Sequence, residues 1–146
     1  MEIHRRNAVA AIGTFFGIAL LKLIADGTST PFLIAPFGAT FVLIFALPDS
    51  PLVKNKNIVG GYLIAGFFGL AVLNIWGVNA WTLGLSVALS MFAMQSTHTM
   101  HPPAGAVPLL VMLSKPDWIF LLTPLMAGVA VILVFSRGYH VLLKRA

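Results

Sequence analysis

The sequence predicts an all-α membrane protein in which six membrane segments form two inverted three-segment repeats. Hydrophobic residues make up 59% of the 146 residues and charged residues only 9%, whereas about 25% of the residues in an ordinary soluble domain are charged. The apolar stretches run almost from end to end, which leaves no room for a soluble domain. Lipid must therefore solvate the outer surface, and we expect a single transmembrane domain over residues 1–146.

The six apolar segments are separated by Gly, Pro, Asn and Asp residues. They cover residues 7–25, 32–47, 58–76, 79–97, 103–113 and 118–136. Four of them are long enough to cross a bilayer. The second and fifth would form helices of about 24 Å and about 17 Å, against a hydrocarbon core of about 30 Å. We expect these two to be short, discontinuous half-helices that line protein or a water-filled cavity, because lipid cannot satisfy irregular backbone.

The first segment follows Arg5 and Arg6, a basic flank that resembles a signal peptide. Its apolar run of about 18 residues is too long for a signal peptide, and we interpret it as a retained first span. Lys22, near its end, could attract anions, but a lysine there more often extends its ammonium group to the interface. No stretch resembles a transit peptide, which favours a bacterial plasma (inner) membrane.

The second half of the chain repeats features of the first half in the same order. Pro36-Phe37-Gly38-Ala39 leads the short second segment, and Pro103-Ala104-Gly105-Ala106 leads the short fifth one. Two further matching pairs are Asn7-Ala8 with Asn79-Ala80, and Leu63-Ile64-Ala65-Gly66 with Leu125-Met126-Ala127-Gly128. We interpret the pattern as a duplication with three segments in each copy.

The basic residues indicate how the copies are oriented. If all six segments cross, the loop with Lys54 and Lys56 lies on the same side as both termini, whose basic residues are Arg5, Arg6, Arg137, Lys144 and Arg145. The positive-inside rule makes that side cytoplasmic. Three crossings in each copy make the repeats inverted. Inverted repeats with short segments in matching positions are typical of transporters that bind their substrate near the membrane midplane.

The two short segments carry the candidate site. Pro36 and Pro103 can each begin a helix, because a proline in the first turn lacks only an N–H that would be unpaired there. A half-helix that begins inside the membrane directs free N–H groups at the cavity, which suits an anion. Gly38 and Gly105 permit close approach, and we expect both beside one central cavity. Thr40 adds a hydroxyl group to the second segment.

The most polar string inside the apolar region covers residues 95–103. Within it, Thr97, His98, Thr99 and His101 could line a polar path for an anion, or lie in a surface loop where backbone carbonyls satisfy the imidazoles. Zinc is disfavoured, because two histidines three residues apart without a nearby carboxylate supply too few ligands. We expect no enzymatic activity, since paired acids and a Ser/Lys pair are missing. We also expect no cofactor and no nucleic-acid partner.

Four parts of the sequence together are similar to one known family. They are His101-Pro102-Pro103-Ala104-Gly105-Ala106, Pro36-Phe37-Gly38-Ala39, the Pro48-Asp49-Ser50-Pro51-Leu52 loop and Asn57-Ile58-Val59-Gly60-Gly61. They resemble the HPP family of small integral membrane proteins, and the resemblance covers nearly the whole chain. Members of that family have been linked to nitrite transport in plastids and cyanobacteria. The resemblance therefore implies a transporter or channel for nitrite or a similar small anion.

Two further expectations concern partners. The alternative function is that of a non-transporting membrane subunit, whose helix-packing faces serve assembly with a larger partner. Because so short a chain encloses little volume, we also expect a homo-oligomer, with a dimer as its simplest form.

Overall fold

The computed structural model describes residues 2–28 and 30–145, and over these two ranges the protein is helical and contains no strand. The six helices are α1 (Glu2–Thr28), α2 (Ala35–Ala46), α3 (Asn55–Trp76), α4 (Ala80–Ser96), α5 (Val107–Ser114) and α6 (Ala127–Arg145). Short 3₁₀ turns at Pro51–Val53 and Pro102–Ala106 precede α3 and α5, and an irregular helical stretch, Leu121–Met126, precedes α6. The predicted all-α class is confirmed.

Helix lengths confirm the two short segments and three of the four predicted long ones. Ile3–Thr28, Asn55–Trp76 and Leu121–Leu143 are long and apolar enough to cross a membrane. The second and fifth segments are short apolar helices, Ala35–Ala46 and Pro102–Ser114. The predicted fourth span is shorter than these three, because α4 has 17 residues, or about 26 Å at 1.5 Å per residue.

The outer surface is apolar, and several large hydrophobic side chains are exposed on it. Phe15, Phe92 and Leu113 are 67%, 68% and 70% exposed. Water would penalise this surface in proportion to its area, whereas lipid tails do not. Trp76, Trp81 and Trp118 are also exposed and lie near helix ends, where amphipathic rings meet the headgroups. The chain is an integral membrane protein whose surface contacts lipid.

Contacts of α1 define one end of the bundle. Gly17 packs against Phe41, and Gly13 against Phe45 and Tyr139, so α1 and α2 run antiparallel. Tyr139 Oη donates a hydrogen bond to the Val9 carbonyl at 2.7 Å. The start of α1, the end of α2 and the last third of α6 therefore lie together. We call this the basic end, since cavities at it are lined by Arg5, Arg6 and Arg137.

Helix α3 is the central element, against which both short segments pack. Thr40 of α2 contacts Tyr62, and Ile44 lines one cavity with Ile58, so α2 runs antiparallel to α3. The fifth segment runs parallel to α3, because His101 lies against Gly61, whereas Pro108 and Val111 lie against Gly69. The two short segments therefore run in opposite directions along one helix.

The sixth segment differs from its prediction as one continuous helix over 118–136. Thr123 has extended backbone torsions (φ −136°, ψ 119°), and the next residue is Pro124. A proline inside a helix has no N–H to donate and its ring clashes with the preceding turn, which explains the interruption. Regular helix resumes at Ala127 and continues to Arg145, past the predicted end at residue 136, because backbone hydrogen bonding does not require lipid.

Candidate functional site

Two of the predicted site residues, Thr40 and His101, meet in the interior. Thr40 Oγ1 lies 2.9 Å from His101 Nε2 and 2.7 Å from Tyr62 Oη. All three residues are 0% exposed. They come from α2, from α3 and from the residue that precedes the Pro102–Ala106 turn, so this contact joins both halves of the chain. We call it the Tyr62–Thr40–His101 cluster.

Hydrogen-bond partners determine the direction of the donors in this cluster. His101 Nδ1 lies 2.9 Å from the Leu52 carbonyl, which can only accept, so Nδ1 carries the proton. In a neutral imidazole Nε2 is then an acceptor, and the Thr40 hydroxyl donates to it. The Tyr62 phenol in turn donates to Thr40 Oγ1. Every member has a partner, as buried polar groups require.

None of the hydrogen-bond partners of the cluster in the described part of the chain is a carboxylate. Asp26 pairs with Lys22 on the exposed surface near the end of α1, which places the Lys22 ammonium group in an ion pair. Asp49 and Asp117 lie in the loops after α2 and α5. Hydroxyl and imidazole groups therefore dominate the buried site, and among the described residues no carboxylate is hydrogen-bonded to it.

The first turns of α3 hold the His101 backbone in place. Asn57 Nδ2 donates to the Met100 carbonyl at 2.9 Å. A Cβ atom on Gly61 would lie only 2.8 Å from the Cβ atom of His101, and one on Gly60 only 2.7 Å from Thr99 Cγ2. Glycine is needed at both positions because the two backbones approach so closely. His101 itself is extended (φ −138°, ψ 95°), as expected of a residue before proline.

Three other residues of the polar string lie outside the cluster. The Thr97 and Thr99 hydroxyls are 2.7 Å apart and bond to each other. His98 is exposed and has a left-handed backbone with φ 53°. These residues form the turn that follows α4, and they have no hydrogen bond to Tyr62, Thr40 or His101.

The prolines and glycines that match between the two halves of the sequence also differ in their position relative to the cluster. Pro36 is buried in the first turn of α2, and its carbonyl oxygen lies 3.2 Å from Thr40 Oγ1, as a second possible acceptor for the one hydroxyl proton that the cluster directs to His101. Pro103 lies in the turn before α5. A Cβ atom on Gly38 would meet only Ile18, at 3.9 Å, and one on Gly105 would meet nothing within 4 Å. That both glycines lie beside one central cavity stays a prediction.

Sequence reasoning missed two members of this region, Tyr62 and Asn57. Both are polar side chains inside or beside an apolar span, which is by itself a signal of function in a membrane protein. Tyr62 lies 22 residues from Thr40 and Asn57 lies 43 residues from Met100. The partners of these two side chains therefore become visible only in the folded chain.

Comparison with known proteins identifies a family that matches nearly the whole chain. The sequence matches the HPP transmembrane-region family over residues 2–146. One transmembrane protein of Dictyostelium discoideum is 32% identical over 135 residues, which are 84% of this chain and 47% of that protein. A second from the same organism is 34% identical over 116 residues, 73% of this chain and 37% of that protein. This chain thus spans less than half the length of either relative, and no solved structure matches it. The chain belongs to the HPP family of integral membrane proteins.

Proposed function

We propose that the protein is a transporter or channel for a small inorganic anion, with nitrite as the substrate, rather than an enzyme. The observation that carries the proposal is the Tyr62–Thr40–His101 cluster. It buries two hydroxyls and an imidazole between two short helical segments inside an apolar protein. Buried polar groups at membrane depth are expensive and mark substrate paths.

An oxyanion needs hydrogen-bond donors, and this cluster can supply them by rotating hydroxyl groups. An anion at the cluster would accept hydrogen bonds from the Tyr62 and Thr40 hydroxyls, which now donate to the next member of the cluster. The Leu52 carbonyl accepts a hydrogen bond from His101 Nδ1, which fixes the orientation of the imidazole ring. Neutral donors in a low-dielectric site bind an anion appreciably, yet without a full positive charge they also release it, as conduction requires.

The proposal includes six membrane crossings arranged as two inverted repeats. In its support, α2 and the fifth segment run in opposite directions along α3. Each also has proline in its first turn, Pro36 in one and Pro102 and Pro103 in the other. Short segments of opposite direction that meet at one polar site are the arrangement expected of alternating-access transporters.

We predict that both termini face the cytoplasm of a bacterial plasma membrane. The bond between Tyr139 and Val9 joins the ends of the chain, and Arg6 and Arg137 line cavities at the same end. The side chains of Lys144 and Arg145 lie outside the described residues. Cysteines placed one at a time at His4 and Val141 of this cysteine-free chain should both resist an impermeant maleimide in intact cells. Labelling of only one of them would refute the even number of crossings.

Nitrite flux tests the function directly. Purified protein in liposomes should carry nitrite down a gradient, measured as nitrite released from the vesicles, and should exceed protein-free vesicles at the same lipid composition. Chloride, formate and nitrate gradients in the same assay define selectivity. Folded protein that moves none of these anions would instead favour a non-transporting membrane subunit.

A homo-oligomer, with a dimer as its simplest form, remains part of the proposal. The helix α4 presents Gly84, next to which the described chain places no atom within 4 Å of a Cβ position, so part of this face has no partner inside one chain. Native mass spectrometry from lipid nanodiscs measures the number of chains, and a monomeric mass would contradict the proposed homo-oligomer.

A further inference from the structure

A half-open cavity of about 420 Å³ lies at the basic end of the bundle. It is enclosed by the end of α2, the start of α3 and the last third of α6. Its polar lining residues are Asn55, Ser136, Arg137 and His140. This set combines a guanidinium, an imidazole, an amide and a hydroxyl, all of which can donate hydrogen bonds.

Ser136 is unusual among the helical hydroxyls of this protein. It is 5% exposed, and its Oγ is buried without a hydrogen-bond partner. The hydroxyls of Thr14, Ser90 and Ser114, by contrast, donate to the carbonyl four residues earlier. A buried hydroxyl without a partner destabilises a fold. We interpret Ser136 as a donor that a ligand satisfies.

The charge of the cavity favours an anion. Arg137 is exposed, and among the described side chains it makes no ion pair, since the salt bridge found there joins Lys22 and Asp26. Asp49, in the neighbouring loop, is not within 4 Å of the guanidinium. An arginine with free donors beside a hydroxyl is well suited to the planar or tetrahedral oxygens of an oxyanion.

The inner wall of the cavity leads toward the polar cluster. Ile44 and Ile58 line the cavity and are both buried. Each is four residues from a cluster member, Thr40 on α2 and Tyr62 on α3, which is about 6 Å along a helix. A single apolar layer of two isoleucines therefore separates the cavity from the buried donors.

We propose that this cavity is a vestibule that binds a small oxyanion at the basic end, before the anion passes Ile44 and Ile58 to reach the Tyr62–Thr40–His101 cluster. The inference rests on the proposed transport function. A lipid phosphate has the same oxygen chemistry as a free oxyanion. The free anion is favoured because the buried Ser136 hydroxyl and the two isoleucines lie on the inner side, where a headgroup with its acyl chains has no route.

Equilibrium binding of nitrite to the purified full chain in non-ionic detergent tests the vestibule. Ionic strength is held constant with sodium gluconate. Arg137→Gln and Ser136→Ala should each weaken nitrite binding by about tenfold, the effect of losing one good hydrogen bond to a charged partner. Lys54→Gln changes a basic residue that does not line the cavity, and Ser90→Ala removes a satisfied hydroxyl. Both controls should bind nitrite as the unmodified protein does.

Melting temperature separates a ligand role from a structural one at Ser136. Removing an unsatisfied hydroxyl should not lower the melting temperature, so weaker nitrite binding with an unchanged or higher melting temperature supports the vestibule. Ile44→Phe, which fills the layer between the two sites, should reduce flux by more than it weakens nitrite binding, because Ile44 also lines the cavity.

Three results would overturn the vestibule. Unchanged nitrite binding in both Ser136→Ala and Arg137→Gln would do so even if the protein transports nitrite. Competitive displacement of nitrite by phosphatidylglycerol, with co-purified phosphatidylglycerol lost in Arg137→Gln, would assign the cavity to a lipid headgroup. Full flux in Ile44→Phe would remove the link to the cluster. Conversely, nitrite binding that depends on Arg137 in a protein without any flux would keep the site and reject the transport function.

Discussion

Thr40→Val should reduce nitrite flux in proteoliposomes by roughly tenfold to a hundredfold, the effect expected from removing one hydrogen bond to a charged ligand. Valine keeps the shape of threonine but lacks the hydroxyl that lies 2.7 Å from Tyr62 Oη and 2.9 Å from His101 Nε2. Thr40→Ser restores the hydroxyl and should retain most of the flux. Initial rates of nitrite efflux at equal protein density provide the comparison.

The same substitution should also destabilise the protein, so stability has to be separated from transport. In Thr40→Val the buried Tyr62 phenol loses the partner found for it in the structure, at a cost of about 1–3 kcal/mol. The double variant Thr40→Val/Tyr62→Phe removes the unpaired phenol as well. It should regain part of the melting temperature but none of the flux. Recovery of flux together with stability would show that the cluster is only structural.

Thr14→Val is a matched control for the loss of a helical hydroxyl. Thr14 lies in α1 and bonds only to the carbonyl of Ala10, so its replacement should leave flux and melting temperature nearly unchanged. Equal effects of the two substitutions would contradict a special role for Thr40.

The sequence predicts the helices well because lipid imposes a simple requirement on them. A segment in contact with lipid tails must be apolar along its whole length, so runs of apolar residues mark the helices directly. The second and fifth segments, predicted at 32–47 and 103–113, correspond to Ala35–Ala46 and Pro102–Ser114. Errors occur where this requirement ends, as in α6, which continues to Arg145 beyond the apolar run.

The candidate site is predicted in part, and the missing part has a physical reason. Thr40 and His101 stand out as polar residues close to proline in short segments. Tyr62 is hidden in a span of ordinary length, and it joins the site only because α2 runs antiparallel to α3. Gly38 and Gly105 match in sequence, yet Gly38 lies in α2 and Gly105 lies in the turn before α5. Equivalent sequence positions therefore do not specify equivalent local structure.

Gly61→Leu should cause the largest loss of folded protein among single substitutions in α3. A Cβ atom at this position would lie 2.8 Å from His101 Cβ and 3.3 Å from the Thr99 carbonyl oxygen. Neither neighbour can rotate away, because Asn57 holds the Met100 carbonyl between them. Overpacking in such a site costs about 1–3 kcal/mol or more, and the expected result is a low yield of monodisperse protein in detergent.

Gly61→Ala and Gly138→Ala together distinguish contact from helix propensity as the reason for glycine. Alanine is favoured over glycine within a helix by about 0.5–1 kcal/mol, so Gly138→Ala in α6, where no atom lies within 4 Å of the new Cβ, should raise the melting temperature slightly. Gly61→Ala should lower it despite the same gain in propensity. The added methyl group displaces His101 from Thr40. The nitrite flux of Gly61→Ala should therefore fall by more than the loss of folded protein explains. A melting temperature that rises equally in both variants would mean that the His101 backbone can yield, and that the start of α3 does not position the imidazole.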